Sequence, residues 1–152
     1  MVKKKTSLSK TDNTLKLDLL ADSLGYHLRR TQIKNYRQFS KIIGKTRTTP
    51  TQLAVMVLVE ANPGMSQADL GKVLEMDRAT TMTIIDKLQN RSWLARHKST
   101  VDGRKHALHM TPRGSSILKE LKSEAVNLER RFASVLTEKE RGQLLNLLQK
   151  LL

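Results

Sequence analysis

Residues 66–110 read SQADLGKVLEMDRATTMTIIDKLQNRSWLARHKSTVDGRKHALHM, and the punctuation of this stretch decides the fold. Ser66 followed by Asp69 is a cap pattern that opens a short helix to Leu74. Gly71 inside that helix costs about 1 kcal/mol against alanine, a cost that a close helix crossing explains. Glu75-Met76-Asp77 is a connection short enough for two helices to pack at a steep angle. Asp77 then caps a second helix over Arg78 to Arg91, in which Met82, Ile85 and Leu88, three apart, set an apolar stripe against the domain. Its other face carries Arg78, Ala79, Thr80, Thr83 and Lys87. Short hydroxyls, a methyl and two cations suit base edges and phosphates in a major groove.

Behind that helix, Trp93 to His97 and Lys105 to Met110 can pair as short strands across a tip holding Asp102-Gly103. Helix, tight turn, helix and hairpin together predict a winged helix-turn-helix, with Arg78 to Arg91 as the DNA-reading helix. At the hairpin tip Arg104 sits with Lys98 and Lys105. That trio suits a guanidinium inserted into a narrow minor groove with lysines on the flanking phosphates; a basic solvated turn is the plainer alternative.

The whole chain has 152 residues, enough for one domain with a core and added helices. Its 28 Lys and Arg against 14 Asp and Glu give a formal charge of +14. Such a chain is drawn to polyanions, and its binding should fall steeply with salt. It contains no cysteine, which excludes disulfides, thiolate metal sites and thiol redox sensing together. No apolar run approaches the roughly 20 residues that span a bilayer. The basic start Met1 to Lys5 leads into polar residues rather than an apolar signal core, so no membrane partner and a cytoplasmic location are expected.

Residues 1–14 form a polar, basic tail, read either as a solvated terminus or as an arm touching DNA or a partner. From Leu15 to Ile43, Leu17, Leu20, Leu24, Leu28 and Ile42 recur at helical spacing, which predicts one long helix. Between Asp22 and Glu60 there is no acidic residue, while Arg29, Arg30, Lys34, Arg37, Lys41, Lys45 and Arg47 accumulate. Three readings stand: a solvated face, contact with phosphates, or a pocket for an acidic small molecule. Tyr26, His27, Tyr36 and Phe39 supply ring surfaces beside those cations in a chain with only five Phe, Trp and Tyr residues.

Thr49-Pro50-Thr51-Gln52 marks a helix start, with Thr49 as cap, Pro50 in the first turn and Gln52 completing a capping box; Asn62-Pro63-Gly64 ends that helix. Thr111-Pro112 opens a long helix toward Leu136, and Thr137 with Glu140 opens another through Leu144, Leu145, Leu147, Leu148, Leu151 and Leu152. Those last leucines cover more than one face. A helix apolar over a broad arc must be buried twice, and a second subunit is the expected second cover. The alternative is that both faces close on the same chain.

The run Leu70 to Gly114, with Asp77-Arg78-Ala79-Thr80, Asp86-Lys87-Leu88, Asp102-Gly103-Arg104 and Met110-Thr111-Pro112-Arg113-Gly114, resembles the MarR family of winged-helix transcription regulators. Ser92 departs from the glycine that usually follows the reader helix there, which points to a strained or differently capped helix exit. The resemblance implies a mainly α fold: a winged helix-turn-helix with a two-stranded β wing and N- and C-terminal dimerisation helices. It places the DNA-binding domain at 49–111 and the helical dimerisation region at 15–48 and 112–152. It further implies a homodimer with intertwined ends and a ligand pocket between the dimer helices and the DNA-binding lobe.

Two reader helices related by a two-fold axis would meet half-sites about one helical turn, roughly 34 Å, apart on a pseudo-palindromic duplex. A ligand that prefers misplaced reader helices would then release the DNA, which makes a ligand-released repressor the expectation; the sequence does not decide between repression and activation. The effector expected from the resemblance and the acid-free helix is an aromatic acid or an aromatic acyl-CoA, held by Tyr26, His27, Arg29, Arg30, Tyr36, Arg37 and Phe39, with no other cofactor. Against enzyme function stand the missing cysteine nucleophile, glycine-rich phosphate loop and acidic metal cluster. Four histidines make no metal site, since His106 and His109 lie three apart on an expected strand. The rival function is a basic architectural protein that coats DNA without sequence preference; RNA binding is a third reading, disfavoured by the scarcity of aromatics on the hairpin.

Overall fold

The computed structural model describes residues 16–42, 46–98 and 106–152, the side chains of Lys41, Ile42, Lys98 and His106 excepted. The basic tail 1–14 lies outside the described residues. The chain divides into a unit over 1–34 and a unit over 35–152.

The first unit contains a 3-10 turn, Asp18–Asp22, and the beginning of α1, Leu24–Ile42. The single helix expected from Leu15 onward is therefore interrupted. Ser23 is extended (φ −80°, ψ 113°) and its Oγ accepts the amide of Tyr26 at 3.3 Å, so a serine side chain competes with continuation of the helix and restarts it. Asp18, at φ +46°, adds a second irregularity that apolar spacing cannot reveal.

The second unit holds the end of α1, then α2 (Pro50–Ala61), α3 (Gln67–Val73), α4 (Arg78–Asn90), β1 (Leu94–Lys98), β2 (His106–Met110), α5 (Pro112–Phe132) and α6 (Glu138–Gln149). The expected capping box forms at α2, where Thr49 and Gln52 exchange side-chain bonds with each other's amides. Ser66 caps α3 through the amide of Asp69, and Thr111 caps α5 through that of Gly114. Thr137 and Glu140 form the second box. Val55, Met56 and Val59 of α2 are fully buried with Leu70, Ile85, Leu88, Leu108 and Leu118, and this cluster is the core against which α4 is set.

The strands pair antiparallel, with Leu94 opposite Met110, Arg96 opposite Leu108 and Lys98 opposite His106. The free edge of β2 is occupied too: the Gly64 amide donates to the Leu108 carbonyl (2.8 Å) and the Leu108 amide to that of Met65 (3.0 Å). The segment ahead of α3 thus braces the wing, a long-range pairing that Asn62-Pro63-Gly64 signals only as a break. Among the described residues no helix is long and apolar enough to cross a membrane.

Candidate nucleic-acid interface

The inner stripe of α4 differs from expectation by one position. Thr81 is 2% exposed and lies inside with Ile85 and Leu88, whereas Met82 is 41% exposed. The cause is the crossing with α3. A Cβ on Gly71 would lie 3.0 Å from Thr81 Oγ1 and 3.2 Å from the Met76 carbonyl, so the crossing admits a small side chain and excludes a methionine. Spacings of four and three from Thr81 are helical in the same way as the spacings of three from Met82, which is why the sequence pattern did not separate them.

With the stripe so placed, Arg78, Ala79, Thr80, Thr83 and Lys87 are all exposed on α4. Asp77 fixes the start of that surface: its carboxylate accepts the Thr80 amide at 2.8 Å and the Thr80 hydroxyl at 2.7 Å. These two bonds, the amide first, hold the Asp77 carboxyl below its ordinary value. Asp86 on α4 pairs with Arg96 on β1 at 2.6 Å, which ties the helix to the wing strand.

The far end of α4 is held by three further devices. Ser92 sits at φ +57°, the left-handed exit expected where a glycine is usual. The Thr111 hydroxyl donates to the Ser92 carbonyl (2.7 Å), and a Cβ on Gly114 would lie 2.0 Å from the Trp93 carbonyl, so the Thr-x-x-Gly motif is the seat on which this exit rests. Arg91 donates to the carbonyl of Thr46 at 2.9 Å and stacks over Trp93 at 4.8 Å. The role of Arg91 was not legible in the sequence, because both partners are remote or generic.

On the wing, Lys98 ends β1, but its side chain and the whole of Arg104 and Lys105 lie outside the described residues. His97 and His109 meet edge to face at 5.1 Å on the hairpin. Among the described residues no three His, Cys, Asp or Glu gather as a metal site would require.

The aromatic and basic residues of α1 fall into the two units. In the first, Tyr26 and His27 meet edge to face at 5.6 Å, the Arg30 guanidinium lies over the Tyr26 ring at 5.6 Å and donates to its hydroxyl at 3.2 Å, and His27 Nε2 is 2.8 Å from the Ala21 carbonyl. Arg29 is exposed. In the second, Tyr36 and Arg37 are exposed while Phe39 is 7% exposed and part of the core. A cleft of 610 Å³ opens between α3 and α4, lined by Gln67, Lys72, Met76, Arg78 and Met82 among others.

Comparison with known proteins gives a consistent picture. The model of the MarR family matches residues 48–106. A protein of Thauera aromatica, assigned as a transcriptional regulatory protein for the hcr operon, is 34% identical over 133 residues, covering 87% of this chain and 80% of that protein. The solved structure of the transcriptional repressor CouR bound to a 23-mer DNA duplex is similar at 31% identity with a TM-score of 0.86, covering 90% of this chain and 97% of the other. CouR bound to p-coumaroyl-CoA is similar at 30% identity with a TM-score of 0.83, covering 90% and 96%.

Proposed function

From the premise that this chain belongs to the MarR family of winged-helix transcriptional regulators and is not an enzyme, we propose that it is a homodimeric cytoplasmic repressor. In this reading it occupies a pseudo-palindromic operator and leaves it when a small anionic ligand, an aromatic acid or aromatic acyl-CoA, binds. The observation that carries the reading is α4: five exposed residues of DNA-compatible chemistry on a helix anchored at its start by Asp77, at its side by Arg96 and at its exit by Thr111. A helix held at three points presents its side chains to DNA without first being ordered.

In this reading Arg78, Ala79, Thr80, Thr83 and Lys87 meet the major groove. Lys98, Arg104 and Lys105 of the wing meet the minor groove and its phosphates. The similarity to a repressor solved with DNA and with p-coumaroyl-CoA supports both halves of the proposal. The anion is assigned to the rings and cations in the first half of α1, Tyr26, His27, Arg29 and Arg30. A coenzyme A thioester carries phosphates that arginines hold through charge-assisted bonds. Ligand and DNA need only favour different spacings of the two reader helices, and a coupling of about 1 to 3 kcal/mol corresponds to roughly 5-fold to 150-fold in operator affinity.

The test is selection from random duplexes at about physiological salt. A two-fold symmetric motif with half-sites about one turn apart is the expected result; tight binding with no motif would replace this reading with that of an architectural DNA-coating protein. On the selected duplex, p-coumaroyl-CoA and free p-coumarate are then titrated separately. Release by the thioester at lower concentration supports a role for the arginines, and release by neither removes the proposed effector class.

A further inference from the structure

The threonines of α4 have already committed their hydroxyl protons. Thr80 Oγ1 donates to the Asp77 carboxylate at 2.7 Å, Thr81 Oγ1 to the Asp77 carbonyl at 2.8 Å, and Thr83 Oγ1 to the Ala79 carbonyl at 2.9 Å. A carboxylate and a carbonyl can only accept, so the direction of each bond is settled by chemistry. The Thr80 bond is charge-assisted and the most costly to surrender. Toward a base edge, Thr80 and Thr83 therefore present lone pairs and γ-methyl groups rather than donors.

Their exposed neighbours reinforce that character. Ala79 adds a methyl, and Met82, 41% exposed, adds a polarisable apolar chain where core packing does not require one. Strong donors on the helix are confined to Arg78 in its first turn and Lys87 in its third. Guanine offers the major groove only the acceptors N7 and O6, whereas thymine offers its C5-methyl and adenine and cytosine offer amino protons. A surface of methyls and lone pairs matches the second set.

We propose that α4 specifies its half-site chiefly through thymine C5-methyl groups packed against Ala79, Met82 and the Thr83 methyl, with the threonine lone pairs taking adenine or cytosine amino protons. This rests on α4 being the sequence reader and names the base chemistry that it reads. Arg78 and Lys87 then bracket the apolar centre.

The experiment uses the full chain and the duplex recovered by selection, with each thymine of one half-site replaced singly by deoxyuridine. That exchange removes the C5-methyl and leaves Watson–Crick pairing intact. At one or two thymines per half-site the affinity should fall about fourfold, as expected for one buried methyl. Thr83→Ser, which keeps the hydroxyl and deletes the methyl, and Met82→Ser at an exposed position should each abolish the thymine-over-uracil preference at one of those positions. A recovered motif that tolerates uracil at every position overturns the proposal while leaving α4 as the reader. Strict additivity of the base and side-chain changes for both variants overturns it as well. Recovery of no motif overturns the reader assignment and this proposal with it.

Discussion

At Gly114 a single hydrogen atom decides whether α5 can be seated. An added Cβ would lie 2.0 Å from the Trp93 carbonyl oxygen, 2.8 Å from its carbon and 3.0 Å from its Cα. All three are backbone atoms, so no side chain can swing aside. Gly114→Ala should lower the unfolding free energy by about 3 kcal/mol or more, at the upper end of overpacking costs, measured by urea denaturation. Ser92 presents the opposite case. Its φ of +57° costs an L-residue about 1 to 2 kcal/mol, while glycine gives back about 0.5 to 1 kcal/mol through the freedom of the unfolded chain. Ser92→Gly should therefore stabilise by roughly 0.5 to 1 kcal/mol in the same assay, and a loss would mean that the Thr111 bond to its carbonyl depends on the serine. Both sites were visible as motif and departure from motif. Glu75, at φ +50° in the turn before α4, was not, because a charged residue in a left-handed position leaves no trace in spacing or composition.

Among the elements, those that begin with a local chemical signal were legible and those shaped by distant contacts were not. Thr49 with Gln52, Ser66 with Asp69, Asp77 with Thr80, and Thr137 with Glu140 are pairs three residues apart whose bonds form within one turn. The inward face of α4 depended on Gly71 of another helix, and the bracing of β2 by residues 64–66 depended on a strand more than forty positions away. The legible caps carry a pH prediction. Bonds from the Thr80 amide and hydroxyl lower the Asp77 carboxyl, and bonds from the Thr137 amide and hydroxyl lower that of Glu140. A carboxyl lowered in the folded state contributes stability that is complete above its unfolded value and lost as pH falls through the folded one. The melting temperature should therefore begin to fall below about pH 4.5 and continue falling beneath about pH 4. Asp77→Asn, which can still cap but cannot ionise, should flatten that part of the profile. Identical profiles for Asp77→Asn and the parent would show that the cap is not linked to acid stability. At the α3–α4 crossing, Gly71→Ala gains about 1 kcal/mol of helix propensity but must displace Thr81 Oγ1 and the Met76 carbonyl. With crowding costs of about 1 to 3 kcal/mol, a net loss of roughly 1 kcal/mol is expected by denaturation.

For the molecule as a whole, one chain leaves much apolar surface in water. Helix α6 has no buried residue, and Leu144, Leu147 and Leu151 are 44%, 58% and 60% exposed, with Val135 just before the helix at 82%. Leu144 and Leu147 on α6 and Leu151 in the turn just past its end, at spacings of three and four, form a run too regular for scattered surface apolar residues. In the proposed reading a second copy of this chain covers that run, and the consequence for DNA would be large. Two reader helices on one rigid dimer bind as a chelate, which multiplies affinity by about 100-fold to 10,000-fold over a single half-site. The double substitution Leu147→Asp and Leu151→Asp places charge in that run while touching no buried residue. Sedimentation should show a monomer, and far-ultraviolet circular dichroism should be close to that of the parent, because the core around Val55, Leu88 and Leu118 is untouched. Operator affinity should fall at least about 100-fold, while affinity for an unrelated duplex, carried by the basic surface, falls far less. A parent chain that is already monomeric at micromolar concentration, or a variant dimer with undiminished operator affinity, would assign the leucine run to some other contact and leave the half-site spacing to be explained without it.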